Sequence, residues 1–210
     1  MMDDLSIILL AGGMGTRMQS QIPKQFLQLG NKPIALHSYD LFQKLNLEIV
    51  VVVNEDYHHL FPGALFAAPG KRRQDSVESG LAKCSKEWIL VHDSARPFIT
   101  LEMVEKLYSA AKKTGAATTG MPMIATVKQA CCQNLVEKTL DRDRIWEIQT
   151  PQIVRREILI EGFAKGCEVT DDVSLAELVG IPVQLVEGSR FNMKITTADD
   201  LILARKLYEI

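Results

Sequence analysis

The sequence lacks the features that mark secreted, membrane-bound and metal-cluster proteins. None of its cysteines shows Cys-x-x-Cys spacing, which favours reduced thiols in a cytoplasmic protein over a zinc site or a disulfide framework: Cys84, Cys131, Cys132 and Cys167. Asp3 and Asp4 stand where a signal peptide carries Lys or Arg. The apolar run that follows them is too short to cross a bilayer. We therefore expect no targeting segment and no membrane span.

The chain also lacks an excess of basic residues. It has 24 Lys and Arg against 26 Asp and Glu, which gives a net charge of −2 at pH 7. Proteins that bind nucleic acid usually carry a strong positive patch, so we expect no nucleic-acid partner. If the protein binds a polyanion, a few lysine or arginine side chains at the binding site would have to supply the positive charge.

Alternating strand and helix patterns fill the 210 residues. A hydrophobic share of 47% supports a sizeable core, and we expect one domain over residues 1–210. Strands are predicted at residues 7–10, 48–53, 88–92, 116–121 and 183–186. Helices are predicted at residues 33–45, 74–84, 101–114, 155–165, 171–178 and 198–208, with N-caps at Thr100, Thr170 and Thr197. This order is typical of a mostly parallel sheet with helices on both faces. The structure of residues 54–69 stays open.

Residues 125–140 break the alternation. They read ATVKQACCQNLVEKTL and have a plausible turn at Gln133 and Asn134, which predicts a hairpin arm outside the main sheet. An isolated two-stranded hairpin is marginal in water, so such an arm usually packs on something. A second copy of the chain is the simplest partner, and we assign residues 125–144 to a β-arm for dimerisation. An ordinary edge hairpin is the alternative.

A glycine-rich loop follows the first predicted strand. Its small residues let the backbone turn tightly and present N–H groups to a ligand: Ala11, Gly12, Gly13 and Gly15. Arg17 and Lys24 add two cations. The loop is not a P-loop, because no Gly-Lys-Ser/Thr occurs, and it departs from the dinucleotide fingerprint at Met18. A plain turn is the alternative, but Arg17 and the Pro-Lys-Gln at 23–25 favour a nucleotidyltransferase loop.

Further polar motifs follow the later strands. Asp93 directly follows the strand predicted at residues 88–92, at the edge where ligands bind in open α/β sheets and where a carboxylate could hold Mg²⁺ together with phosphate oxygens. Arg96 adds a planar fork suited to phosphate. Asp75 and Ser76 lie in the first turn of a helix, as caps or as contacts to a base or ribose. The weaker candidates for phosphate or hydroxyl contacts are Arg142, Thr150, Thr170 and Lys194. His92 is interpreted as structural.

Together these motifs resemble one family over nearly the whole chain: the 2-C-methyl-D-erythritol 4-phosphate cytidylyltransferases of the non-mevalonate isoprenoid pathway. The matching segments are AGGMGTRM, PKQF, RQDSV, VHDSARP, TVK, LDR, QTPQ, TDD, LVEG and NMKIT. The resemblance implies a Rossmann-like nucleotidyltransferase fold of the glycosyltransferase A type. It also implies CTP and a sugar-alcohol phosphate as substrates. Ribitol 5-phosphate cytidylyltransferases share most of these motifs and remain the alternative, as does a non-catalytic nucleotide-binding protein of the same fold.

The resemblance also implies residue roles. Arg17, Lys24 and Lys194 match the residues that hold the triphosphate and stabilise the transition state, and Asp93 matches a Mg²⁺ ligand. The nucleotide-binding elements would be Ala11, Gly12, Gly13, Gly15, Ser76 and Ser94. The acceptor would contact Arg96, Thr150 and Thr170. Thr126 and Arg142 match acceptor contacts that the arm donates across a homodimer. The chain departs from the family motifs at Gly12 and Ser94, where alanine is usual. Both residues are small, so we expect the backbone still to approach a bound nucleotide closely.

Overall fold

The computed structural model describes residues 2–13 and 22–209. Within them the strands are β1 (Leu5–Leu10), β2 (Gln28–Leu29), β3 (Lys32–Pro33), β4 (Glu48–Val52), β5 (Leu65–Ala67), β6 (Trp88–Asp93), β7 (Ala116–Pro122), β8 (Lys128–Ala130), β9 (Val136–Thr139), β10 (Trp146–Arg155) and β11 (Val183–Glu187). The α-helices are α1 (Ile34–Gln43), α2 (Arg73–Leu81), α3 (Leu101–Thr114), α4 (Arg156–Ala164), α5 (Val173–Leu178) and α6 (Ala198–Tyr208). None of these described helices has the length and apolar character that a bilayer crossing requires.

A seven-stranded sheet organises the fold, in the order β11-β7-β10-β6-β1-β4-β5. The strand pairs are parallel except that β10 runs antiparallel to both of its neighbours, β6 and β7. Strand β1 lies near the middle, and its residues from Leu5 to Leu9 are fully buried because helices cover both faces. The predicted mostly parallel α/β fold is confirmed.

Alternate residues of the sheet pack against different helices. On one face Leu5, Ile7 and Leu9 pack with apolar residues of α1 and α3. On the other face Ile8 and its strand neighbours pack with α2, α4 and α5. This period of two explains why a continuous apolar run forms a strand that is buried on both sides. A smaller cluster joins α6 to β2.

The helix ends mostly follow their predicted caps. Thr100 accepts a hydrogen bond from the Met103 N–H, and Gly115 ends α3 with φ +96°, a conformation that glycine adopts without strain. Thr197 caps α6 by accepting from the Asp200 N–H. The predicted N-cap at Thr170 is wrong, because α5 begins at Val173 and its N-cap is Asp172.

Two segments differ from the sequence prediction or fill its gaps. Strand β10 was not predicted, because a proline is unusual inside a central strand. The sheet accommodates Pro151 through a register break against β7 between Ile148 and Gln152, which removes the need for a ladder N–H there. Residues 54–69, whose structure the sequence leaves open, contain a 3-10 helix at Glu55–Leu60 and the edge strand β5.

The hairpin predicted at residues 125–140 is present as a separate two-stranded sheet of β8 and β9, both exposed. Asn134 lies at its turn with φ +61°. The base of this arm is held by the main sheet, where Pro122 pairs with Trp146 and the Met123 N–H donates to the Ile145 carbonyl at 2.9 Å.

Candidate active site

Two adjoining pockets lie at the carboxyl ends of β1 and β6. The first, which we call the loop pocket, has a volume of about 400 Å³ and lies against Gly12 and Gly13. It is also lined by Lys24, Gln25, Gly70, Lys71, Arg72, Arg73, Ser76, Asp93, Ser94, Ala95, Lys194 and Thr196. The second, the adjoining pocket, has a volume of about 290 Å³ and is lined by Arg73, Asp93, Arg96, Ile148, Gln149, Thr150, Gln152, Thr170, Asp171 and Lys194.

The start of the glycine loop is fixed by close packing and by one buried glutamine. A Cβ on Gly12 would lie 2.4 Å from Pro69 Cβ, so only glycine fits there without a shift. Gln25 Nε2 donates to the Ala11 carbonyl at 2.6 Å and to the Gly13 carbonyl at 2.9 Å. Gln25 belongs to the Pro-Lys-Gln motif, but sequence reasoning assigned it no role. The predicted residues Gly15 and Arg17 lie outside the described part of the chain.

Asp93 is the buried carboxylate between the two pockets. Its Oδ1 accepts from Arg73 Nε at 3.1 Å, and its Oδ2 accepts from Lys194 Nζ at 2.6 Å. Burial disfavours ionisation, but the two cations outweigh it and hold the pKa of Asp93 well below its usual range. The sequence prediction that Asp93 and Lys194 share a site is therefore consistent with the geometry.

Arg73 is a site residue that sequence reasoning missed. It begins α2, contacts Asp93 and forms a two-pronged pair with Asp172, with both N–O distances at 2.8 Å. Burial lowers the pKa of Arg73, yet Asp172 and Asp93 more than offset that effect and keep it charged. Arg73 opens the RQDSV segment, and the structure shows that the preceding Arg72 has a different partner, since it pairs at the exposed surface with Asp75.

A chain of hydrogen bonds holds the loop after β6. The Asp93 N–H donates to Thr150 Oγ1 at 3.0 Å, Thr150 Oγ1 lies 3.2 Å from His92 Nδ1, and His92 Nε2 lies 3.1 Å from the Arg96 carbonyl. A carbonyl only accepts, so Nε2 carries the proton and the Thr150 hydroxyl donates to Nδ1. Burial lowers the pKa of His92 to about 4 and keeps the ring neutral. His92 is structural, as predicted, and Thr150 positions Asp93.

Arg96 projects its guanidinium among the residues of the adjoining pocket. Its Nη1 donates to the Asn192 carbonyl at 2.8 Å, whereas its Nε is buried without a hydrogen-bond partner among the described residues. Asn192 is itself held by Gln149 and by the Thr150 carbonyl. A guanidinium that lines a pocket and has N–H groups to spare is suited to binding an anion. Thr170 lies exposed at the same pocket.

The serines of the predicted nucleotide site line the loop pocket. Ser94 is buried and donates through Oγ to the Leu10 carbonyl at 2.7 Å, which ties the loop after β6 to the end of β1. Ser76 Oγ accepts from the Gly70 N–H at 3.0 Å. Asp75 accepts from the Arg72 N–H and so has the capping role, one of the two roles expected for it.

Two predicted residues do not reach these pockets within one chain. Thr126 and Arg142 are exposed on the arm, and neither lines either pocket. Arg142 Nη1 donates to the Ile124 carbonyl at 2.8 Å. Their contact with an acceptor stays a prediction.

The fold and the site together define an α/β protein of the nucleotidyltransferase class, with a glycine loop, a buried carboxylate and a set of cations at the carboxyl edge of the sheet. Comparison with known proteins narrows the class. The model of the 2-C-methyl-D-erythritol 4-phosphate cytidylyltransferase family matches residues 5–209, and the chain belongs to this family. The resemblance inferred from the motifs is therefore confirmed.

Individual relatives agree with that assignment. The chloroplastic 2-C-methyl-D-erythritol 4-phosphate cytidylyltransferase of Oryza sativa subsp. japonica is 46% identical over 97% of this chain and 74% of its own. The protein of that name from Chlamydia pneumoniae is 43% identical over 96% of this chain and 98% of its own. The crystal structure of the Thermus thermophilus protein of that name superposes with a TM-score of 0.82 at 31% identity, covering 98% of both chains.

Proposed function

We propose that this protein transfers CMP from CTP to 2-C-methyl-D-erythritol 4-phosphate, which gives 4-diphosphocytidyl-2-C-methyl-D-erythritol and pyrophosphate. The names of its relatives indicate the acceptor. The observation that carries the proposal in the structure is the wall of Arg73, Asp93 and Lys194, which lines both pockets. A nucleotide in the loop pocket and a phosphate in the adjoining pocket would meet at this wall.

The acceptor phosphate needs no general base to act as the nucleophile. A phosphate monoester has a second pKa of about 6 and is mostly dianionic at pH 7. One of its oxygens would attack the α-phosphorus of CTP in line, a P–O bond would form, and the bond to the leaving pyrophosphate would break. This fits a site whose one nearby histidine, His92, is buried, neutral and committed to Thr150 and the Arg96 carbonyl.

The main obstacle is repulsion between two polyanions. At about 4 Å one pair of like unit charges costs about 4 kcal/mol at an effective dielectric constant near 20. Lys24 and Lys194 line the loop pocket and would offset this repulsion, together with Arg17 from the remainder of the glycine loop. Arg96, which lines the adjoining pocket, would hold the acceptor phosphate through those of its N–H groups that reach the pocket. Catalysis would consist of positioning and electrostatic stabilisation of the crowded α-phosphate.

The residues present fit a divalent cation that arrives with the nucleotide. Asp93 is the only acidic side chain among the described residues that line the loop pocket, and the described chain has no cluster of three or more potential metal ligands. Mg²⁺ is commonly bound by one or two carboxylates together with substrate phosphates and water. Asp93 would supply the carboxylate, since its low pKa keeps it ionised. The bound ion would neutralise charge on the triphosphate.

We also propose a homodimer in which the arm completes the partner's site. The arm is exposed along both strands, and Thr126 and Arg142 reach neither pocket of their own chain. Association through this arm would place an arginine and a threonine at the acceptor of a second copy. The four free cysteines support action in the cytoplasm, where thiols stay reduced.

Pyrophosphate release in the presence of Mg²⁺ tests the reaction directly. CTP should support turnover with 2-C-methyl-D-erythritol 4-phosphate, whereas ribitol 5-phosphate and the nucleotides ATP, GTP and UTP should give little. Faster turnover with ribitol 5-phosphate would make that compound the acceptor in place of 2-C-methyl-D-erythritol 4-phosphate. The absence of turnover with both compounds would favour a non-catalytic nucleotide-binding protein. Lys24→Ala should lower kcat by about 10²–10³-fold. Lys44→Ala, which removes an exposed lysine at the end of α1, is the matched control.

A further inference from the structure

Arg73 contacts carboxylates on two separate elements. Its Nε donates to Asp93 Oδ1 at the end of β6, while Nη1 and Nη2 donate to the two oxygens of Asp172 before α5. Asp172 is buried and does not line either pocket. Its backbone N–H is held by Gln152 Oε1 at 2.8 Å, so the carboxylate that grips Arg73 is fixed by the sheet.

A row of four charged groups that alternate in sign runs through the wall to the buried Asp172. Lys194 Nζ contacts Asp93 Oδ2, Asp93 Oδ1 contacts Arg73, and Arg73 contacts Asp172. With Lys194 included, two cations and two carboxylates balance, and Nε, Nη1 and Nη2 of Arg73 all donate to these carboxylates, so Arg73 is poorly placed to hold a phosphate as well. Its fork geometry instead fixes where Asp93 lies, because a planar guanidinium restricts both position and angle.

We infer that Arg73 is a positioning residue that holds Asp93 through Oδ1 and leaves Oδ2 to Lys194 and a bound cation, and that Asp172 anchors Arg73. The inference rests on the proposed function only in giving Asp93 a divalent cation to bind. Partners that orient a metal ligand typically change metal affinity by about 10–100-fold when they are removed. A purely structural ion pair would instead affect stability and leave metal affinity unchanged.

Asp172→Asn is the decisive variant, because it keeps the side-chain shape, removes the carboxylate that anchors Arg73 and changes no residue that lines either pocket. Arg73→Lys is the second variant, since it keeps the charge but loses the fork. Glu102→Gln is the matched carboxylate-to-amide control, because it removes the exposed ion pair with Lys106 on α3. Thermal midpoints of all proteins would show that each variant is folded.

Mn²⁺ binding to the full-length protein with CTP and no acceptor, followed by electron paramagnetic resonance, measures the effect without turnover. Both variants should raise the Kd for Mn²⁺ by about 10-fold or more, with Glu102→Gln matching the wild type. With acceptor present, they should lower kcat more than they raise the KM for CTP. Wild-type Mn²⁺ affinity in folded Asp172→Asn and Arg73→Lys proteins would overturn the inference, as would the absence of Mn²⁺ binding in the wild type. If the variants bind Mn²⁺ more weakly than the wild type but the wild type releases no pyrophosphate, only the proposed reaction would be overturned.

Discussion

Replacing Gly12 with alanine should cost stability, whereas the same change at Gly13 should not. An ideal Cβ on Gly12 would lie 2.4 Å from Pro69 Cβ and 3.0 Å from Pro69 Cγ. Favourable contact between carbon atoms begins at about 3.5 Å. Val52 O, 3.4 Å from the same Cβ, already accepts the Ala11 N–H, so the strand edge has no room to withdraw. A Cβ on Gly13 would meet nothing within 4 Å among the residues that the structure describes.

The size of the effect follows from how the clash can be relieved. Neither Pro69, a rigid ring, nor the Val52 carbonyl can rotate away, so the loop backbone itself must move. Overpacking of this kind costs about 1–3 kcal/mol. Gly13→Ala should stay within about 0.5 kcal/mol of the wild type, as expected for an open position. Because the loop lines the loop pocket, Gly12→Ala should also raise the KM for CTP.

Urea unfolding of the two variants and the wild type measures the difference, and pyrophosphate release with varied CTP measures the effect on KM. The adjacent glycine is the control, since both substitutions add the same methyl group to the same loop. Equal free energies of unfolding for the two variants, or a larger loss at Gly13, would refute the close-approach explanation of Gly12.

Three further predictions concern the loop, the buried histidine and the arm. Gln25→Ala should lower the free energy of unfolding by about 2–4 kcal/mol, because two loop carbonyls lose their donor. Gln28→Ala, which removes an exposed glutamine, is the control, and a similar loss in that variant would contradict this explanation. The pKa of His92 is lowered in the fold, so the unfolded chain binds the extra proton and stability falls as pH drops from about 7 to 4. Between pH 7 and pH 4 the free energy of unfolding in urea should fall by about 3 kcal/mol more for the wild type than for His92→Gln. Equal pH dependence of this free energy in the two proteins would exclude the histidine as the cause. Tag-purified mixed dimers of Arg142→Ala and Lys24→Ala chains should recover up to about half of wild-type activity through one intact site, and inactive mixed dimers would argue against an arm that acts in the partner's site.

The elements that sequence predicts best are those with strong local signals. The helix at Ala198–Tyr208 is confirmed together with its Thr197 cap, because the capping residue and the apolar spacing agree. The end of α3 at Gly115 is confirmed for the same reason. By contrast β10 was missed, since Pro151 and its polar neighbours give no strand pattern, and its place between β6 and β7 depends on tertiary pairing.

The site shows a similar division. Asp93, Lys194 and Lys24 line one pocket, because the segments that carry them meet at one edge of the sheet, and their roles in catalysis stay predictions. Arg73 opens the matching segment RQDSV but was given no role, because its contact with Asp172, 99 positions away in sequence, is visible only in the structure. Long-range ion pairs of this kind leave no periodic signal in a single sequence.

The closed base of the arm bears on how this family can diversify. Residues 123–145 leave and re-enter the sheet at the neighbouring partners Pro122 and Trp146, so their two ends already meet. Closing a longer loop across such a base adds little free energy, about 0.6 kcal/mol for each doubling of length. The insertion can therefore change in length or sequence without disturbing the register of β7 and β10. If the arm contacts the acceptor, recognition of the second substrate can evolve separately from the nucleotide chemistry.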